Sequence, residues 1–271
     1  MERSKVTIQS LYNKKEKGEK ITMLTAYDFY TAAMLDQAGI DLTLVGDSLG
    51  NVVLGYDSTV PVTMEEMIHH CKAVRRGTQY AFLVGDMPFM SYNVTHEEAI
   101  RNAGRFIKEA GCDAAKLEGG SEMAPVVRAI VDAGIPVCAH IGLTPQTATK
   151  LSGFKVQGKD KEGGRQLIES AKALDQAGAF TLVMECIPDA IAEKITKTVS
   201  MPTIGIGAGP DCDGQVLVTN DLLGLYEKFV PKFVKQYINL APMITKAVSD
   251  YVEEVKSGDF PGPEHTFHVN P

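Results

Sequence analysis

At 271 residues, with 44% hydrophobic and 23% charged side chains, the chain has the composition of a globular protein with room for a substantial core. A formal net charge of −7 and a pI near 5.4 exclude the basic face of a nucleic-acid binder. No apolar stretch approaches the ~20 residues that cross a bilayer, and the polar opening Met1-Glu2-Arg3-Ser4-Lys5 leads into no apolar signal core.

In chain order, apolar runs rich in β-branched residues read as strands at residues 21–26, 42–46, 81–85, 114–118, 136–140, 180–185, 202–205 and 215–219. Helical patterns lie between most of them, at residues 29–38, 63–76, 96–110, 121–133, 164–177 and 189–198. Four of these end in Ala-Gly, at Ala38-Gly39, Ala110-Gly111, Ala133-Gly134 and Ala177-Gly178, where glycine closes a helix before the chain turns back. Thr63 and Glu66 have capping-box spacing, and Thr95 is a candidate cap for the following helix. The segment between the last two strands, residues 207–214, reads as loop. Residues 230–255 read as one long helical region, followed by an extended tail with exposed apolar residues that either docks on a neighbouring subunit or frays.

Strand–helix alternation implies right-handed crossovers and a parallel sheet covered on both faces. Eight strands in this length favour an α/β fold of the (β/α)8 TIM-barrel kind, with a long C-terminal helical region, over an open sheet. The expected organisation is a single domain over residues 1–271 that includes the C-terminal helix and tail, about 230–271.

Four of the apolar runs end in a carboxylate, at Val45-Gly46-Asp47, Val84-Gly85-Asp86, Lys116-Leu117-Glu118 and Val183-Met184-Glu185. Parallel strands side by side gather these acids at one end of the sheet, where a barrel forms its active site. Clustered acids repel and resist desolvation, so the group calls for a cation or a shared proton. Asp47 and Asp86 each follow a glycine that allows close backbone approach. Their oxygens suit a hard cation such as Mg2+, with Glu118 adding a third oxygen directly or through water. Lys116 shares a face with Glu118, so Glu118 or a bound anion is its expected partner, the alternative being a purely structural ion pair. Glu185, amid apolar residues, suits a general base. His140 ends its strand as either a hydrogen-bonded core residue or a group that orients substrate.

Weaker signals surround these. The glycine run from Thr203 to Gly209 lacks the helix and acidic partner of a dinucleotide site, and a strand end leaving room for a flat ligand is the expectation. Residues 142–163 form a long loop with Lys150, Lys155, Lys159 and Lys161, a candidate lid over an anionic ligand. His265 and His268 lack helical context and read as tail decoration. The five cysteines include no Cys-x-x-Cys pair, so reduced thiols in a cytoplasmic protein are expected, with Cys138 and Cys186 as small core residues.

In combination, Thr25-Ala-Tyr-Asp28, Gly46-Asp-Ser-Leu-Gly50, Asp86-Met-Pro-Phe89, Lys116-Leu-Glu-Gly-Gly120, His140-Ile-Gly-Leu-Thr-Pro-Gln146 and Thr203-Ile-Gly-Ile-Gly-Ala-Gly209 closely resemble the ketopantoate hydroxymethyltransferase family. The likeness includes Asp213-Gly-Gln-Val-Leu-Val218 and Glu264-His-Thr-Phe267. The resemblance implies a barrel that uses Mg2+ and 5,10-methylenetetrahydrofolate to transfer a one-carbon unit to 3-methyl-2-oxobutanoate, giving 2-dehydropantoate for pantothenate synthesis. It further implies that Asp47, Asp86 and Glu118 serve the metal, that Asp47, Ser48, Asp86 and Lys116 bind substrate, and that Glu185 accepts the proton. A homo-oligomer, commonly a decamer, goes with the family, and neither nucleic acid nor membrane is an expected partner. Two rivals stand beside this reading: a phosphoenolpyruvate/isocitrate lyase-type lyase or mutase acting on an α-keto acid, and a barrel that binds an acidic metabolite without turnover.

Overall fold

The computed structural model describes residues 3–151, 153–225 and 230–269. Eight parallel strands close in sequence order: β1 (Ile21–Thr25), β2 (Leu42–Val45), β3 (Phe82–Asp86), β4 (Ala114–Glu118), β5 (Val137–Gly142), β6 (Thr181–Glu185), β7 (Thr203–Ile206) and β8 (Gly214–Leu217). β8 pairs back onto β1, with Thr22 opposite Gln215, and the sheet has no free edge. The expected eight-stranded (β/α)8 barrel is therefore the observed fold. The chain divides into two compact units, Met1–Thr219, which contains the barrel, and Asn220–Pro271.

Helices begin where the local chemistry supplies an acceptor for their free N–H groups. α1 spans Ile8–Lys17, α2 Phe29–Ala38, α3 Leu49–Val52, α4 Met64–Gly77 and α5 His96–Lys108. α6 spans Ala124–Asp132, α7 Lys161–Gln176 and α8 Asp189–Thr198. The Thr63–Glu66 capping box forms at α4, and the Thr95 hydroxyl accepts from the Glu98 amide at α5. α7 starts earlier than its apolar pattern, at Lys161, because the Asp160 carboxylate accepts from Gly163 N at 2.7 Å. No helix separates β7 from β8, as the loop-like segment there suggested.

Alternation along the strands sorts the core into two shells. Ile21, Met23, Leu42, Leu44, Phe82, Val84, Ala114, Cys138, Phe180, Val183, Ile204 and Val216 fill the barrel interior, while Leu83, Leu117, Ala139, Leu182 and Met184 face the helices. α1, which its polar sequence did not announce, closes the N-terminal mouth: its one fully buried residue, Leu11, joins the interior cluster. Lys14 and Lys15 hold Asp41 and Asp213 at 2.6 and 2.7 Å. A single buried side chain leaves no apolar periodicity to read.

In the second unit, α10 covers Ala241–Ser257, after the short α9 (Thr219–Leu222) that follows β8. The long helix expected from residue 230 thus starts later. Pro242 has no N–H to donate and is tolerated only in a first turn, so the helix begins beside it. Met243, Ile244, Val248, Tyr251 and Val255 are exposed along α10.

Candidate active site

The C-terminal mouth of the barrel collects the acids that the sequence scattered. Asp86 ends β3 and Lys116 lies opposite it in register on β4, so the ammonium reaches both carboxylate oxygens, at 2.8 and 2.7 Å. Glu118 and His140 are likewise register partners on β4 and β5, with His140 Nδ1 3.5 Å from Glu118 Oε1. Lysine's partner is thus Asp86 rather than Glu118. Residues two apart on one strand are separated by about 6.6 Å of rise, whereas neighbouring strands lie only about 4.8 Å apart.

His140 Nε2 lies 3.3 Å from Glu185 Oε2, so one imidazole stands within ion-pair distance of two carboxylates. Asp47, just beyond β2, donates its backbone N–H to Asp86 Oδ2 at 3.3 Å. Asp47, Asp86, Lys116, Glu118 and His140 are all buried, at 5% exposure or less, and Glu185 alone keeps partial exposure. Ser48 lies beside Asp47, its hydroxyl 2.8 Å from that of Tyr27. A side chain at Gly46 would press on the Ser48 hydroxyl, so glycine here makes room for that group. Gly85 serves a different purpose: a Cβ there would collide with the Phe106 ring of α5, so its close approach is to a helix.

Two residues without titratable function in this setting complete the network. Gln146 follows β5 in a short 3-10 turn, Pro145–Thr147, and Tyr92 lies between β3 and α5. The Gln146 amide donates to Asp47 Oδ2 and to Met87 O, both at 2.9 Å, and accepts from the Tyr92 hydroxyl at 2.6 Å. Its backbone N–H donates to Glu118 Oε2 at 3.2 Å. Gln146 was visible only as the last member of a motif, and Tyr92 carried no signal at all.

The electrostatics follow from burial and crowding. Burial first, then the Asp86 and Glu118 charges, push Asp47 well above the usual carboxylate range, against the opposing Lys116 charge and Gln146 hydrogen bond. Asp86 is pushed up by burial and held back by Lys116. Burial would lower Lys116, but Asp86, Glu118 and Asp47 outweigh it and keep the ammonium charged. Burial and Lys116 also act to discharge His140. Its two carboxylate neighbours prevail, and the imidazole is raised to about 9.

With all four carboxylates ionised, one ammonium and one imidazolium leave a surplus of two negative charges in a nearly dry site, the charge a divalent cation would balance. Among the described residues no three His, Cys, Asp or Glu side chains form a ready cage for a metal ion. A hard cation such as Mg2+ takes one or two carboxylates and keeps its other positions for water and substrate. Among the described residues Gln146 holds Asp47 Oδ2, and no hydrogen bond reaches Oδ1. The residues therefore fit a divalent ion held by few protein ligands.

Other sequence signals resolve differently. The space beside Gly205 is taken by Cys212 and that beside Gly209 by Asp189, so these glycines serve packing and leave no slot for a flat ligand. Lys150, Lys155, Lys159 and Lys161 are solvent-exposed, and the part of their loop that enters the site is Gln146. All five cysteines are free, with Cys138 fully buried and Cys186 partly so. His265 and His268 are exposed in the tail.

The family model described as ketopantoate hydroxymethyltransferase matches residues 5–263. A protein of Syntrophomonas wolfei subsp. wolfei named 3-methyl-2-oxobutanoate hydroxymethyltransferase is 58% identical over 266 residues, covering 98% of this chain and 96% of its own length. One of the same name from Heliobacterium modesticaldum is 60% identical over 266 residues, with the same coverage. Among solved structures, phosphonopyruvate hydrolase in complex with oxalate and Mg++ superposes with a TM-score of 0.60 at 14% identity. It covers 96% of this chain and 93% of its own, and this likeness is one of fold. No described helix is long and apolar enough to cross a membrane.

Proposed function

Since the chain belongs to the ketopantoate hydroxymethyltransferase family, we propose that the acidic mouth of its barrel is where a one-carbon unit is transferred to 3-methyl-2-oxobutanoate. The donor is 5,10-methylenetetrahydrofolate and the product 2-dehydropantoate, a precursor in pantothenate synthesis. The observation that carries the reading is the cluster of buried Asp47, Asp86, Lys116, Glu118 and His140 with the partly exposed Glu185, drawn together from the ends of β2 to β6.

Asp47 and Asp86 would hold Mg2+, with Glu118 assisting directly or through water. The cation supplies Lewis acidity, drawing electrons from the keto oxygen and so acidifying the adjacent C–H bond. Everything else falls to the chain itself. Lys116, kept charged by its carboxylate neighbours, offsets the negative charge that the keto acid brings and that grows as its proton leaves. Ser48, its hydroxyl steadied by Tyr27, donates to the substrate's oxygens. Glu185 has one oxygen held near His140 and its other oxygen available, at the one partly exposed position of the cluster. It takes the proton from the branched carbon beside the carbonyl. His140 orients that base, and through Glu118 it links the base to the metal ligands. Over the whole reaction the carbon nucleophile forms a C–C bond to the methylene carbon of the folate, both N–C bonds of that carbon break and tetrahydrofolate leaves. Water supplies the hydroxymethyl oxygen, and one water proton together with the proton taken by Glu185 ends on the two folate nitrogens.

We also infer a cytoplasmic homo-oligomer, decameric by family resemblance. Five free thiols and the exposed apolar residues of α10 support this reading.

The test is to incubate the protein with 3-methyl-2-oxobutanoate, methylenetetrahydrofolate and Mg2+ and to identify products by mass spectrometry. Folate-dependent formation of the hydroxymethylated keto acid is the expected result. Folate-independent cleavage or rearrangement of α-keto acids would favour the lyase or mutase chemistry instead. Absence of turnover at saturating reactants would favour a binding barrel.

A further inference from the structure

Gln146 touches the ends of three consecutive strands. Its side-chain nitrogen meets Asp47 beyond β2 and the Met87 carbonyl beyond β3, and its backbone N–H meets Glu118 at the end of β4. It is 3% exposed, and so is shielded from water that could substitute for any of these bonds.

The direction of each bond can be deduced. The Tyr92 oxygen accepts the Glu118 backbone N–H at 3.3 Å, so the hydroxyl's own proton is free to go to Gln146 Oε1, 2.6 Å away. A carboxamide that accepts at its oxygen presents both N–H groups on the other side. Those two protons match two acceptors, Asp47 Oδ2 and Met87 O, and no donor remains unused. The flipped amide would set its oxygen against a carboxylate and a carbonyl and leave the Tyr92 proton facing an NH2 group. The tyrosine hydroxyl is thus what decides which way the glutamine faces.

We propose that Gln146, locked in one orientation by Tyr92, is a positioning residue for cation binding: it engages one oxygen of Asp47 and so presents the other, Oδ1, to the divalent ion. The inference rests on the reading of Asp47 as a metal ligand and adds to it a chain of command. The relay runs from the Glu118 backbone through Tyr92 and Gln146 to Asp47. Because Gln146 belongs to the segment that follows β5, the arrangement also ties that segment to the acids of β2 and β4.

The test measures Mn2+ binding, as a surrogate for Mg2+, to the full chain without substrates, counting free Mn2+ by electron paramagnetic resonance. Tyr92→Phe removes one oxygen atom, and Gln146→Met keeps a similar volume without donors. Removing a hydrogen-bond partner of a metal ligand typically weakens metal binding about 10–100-fold, and at least a tenfold loss is expected for Gln146→Met. Tyr92→Phe should lose affinity in the same direction with an unchanged far-UV circular dichroism spectrum. The double variant should be no weaker than Gln146→Met alone, since both act through one link. In turnover, the metal concentration for half-maximal rate should rise more than the KM for the keto acid, a split that a purely structural role would not produce.

A parent protein that binds Mn2+ while Gln146→Met binds it within a factor of two overturns the inference and leaves the metal reading intact. A parent that binds no Mn2+ overturns the metal reading and this inference with it. Should Gln146→Met fail to fold, Tyr92→Phe decides by the same criterion.

Discussion

Among the described residues Lys116 is the one ammonium set among three buried carboxylates, and replacing it with methionine keeps the volume while removing the charge. Asp86 then loses both of its 2.7–2.8 Å contacts, and Asp47, Asp86 and Glu118 face one another uncompensated. Breaking a buried ion pair on one side costs about 3–5 kcal/mol. At about 2–4 °C per kcal/mol for a domain of this size, melting should fall by roughly 6–20 °C. Thermal unfolding followed by circular dichroism at pH 8, with a chelator present, measures it. The sign of the pH dependence is also determined. Asp47 and Asp86 have folded-state values above their unfolded ones, so their ionised forms penalise folding. That penalty is complete above the folded values and disappears as pH falls toward the unfolded ones. The deficit of Lys116→Met should therefore shrink between pH 8 and pH 5, and adding Asp86→Asn should recover part of it. A Lys116→Met protein that melts within about 3 °C of the parent at pH 8, or whose deficit grows on acidification, would refute the electrostatic account.

Three further outcomes are expected. Glu185→Gln should abolish exchange of the C3 proton of 3-methyl-2-oxobutanoate with solvent deuterium, followed by NMR with Mg2+ and no folate; exchange at the parent rate would assign the proton to another base. Asp221 is raised to about 6 by burial, so its charge opposes folding above that pH. Asp221→Asn should therefore raise the urea midpoint at pH 8 and leave it unchanged at pH 4, and equal midpoints at pH 8 would remove the burial argument. Leu11→Ala should cost about 2–5 kcal/mol by emptying the space that Leu11 fills in the barrel interior, with activity retained in the folded fraction. A loss under ~0.5 kcal/mol, the scale of an ordinary surface substitution, would mean that α1 does not close the barrel as described.

The glycine positions show how far local pattern carries. Gly46 and Gly85 look alike in sequence, each one residue before an acid. One spares the Ser48 hydroxyl, and the other admits the Phe106 ring from α5. The run from Thr203 to Gly209 looks like a ligand cradle and is filled by Cys212 and Asp189. For Gly85 and for the glycine run the deciding atom comes from a residue outside the motif, which no local pattern can supply.

Periodicity determined much by itself: eight apolar runs, the helices between them, and the placement of Asp47, Asp86, Glu118 and Glu185 at strand ends. These are properties of neighbours along the chain, where alternating side chains and capping residues act over a few positions. Which acid meets which cation was decided only by closure of the barrel. Register set Lys116 against Asp86 and Glu118 against His140, because the hydrogen-bonding distance across strands is shorter than the step between same-face residues along one strand. The same closure brought Tyr92 and Gln146, 54 residues apart, within a hydrogen bond of each other at the mouth where the carboxylates gather.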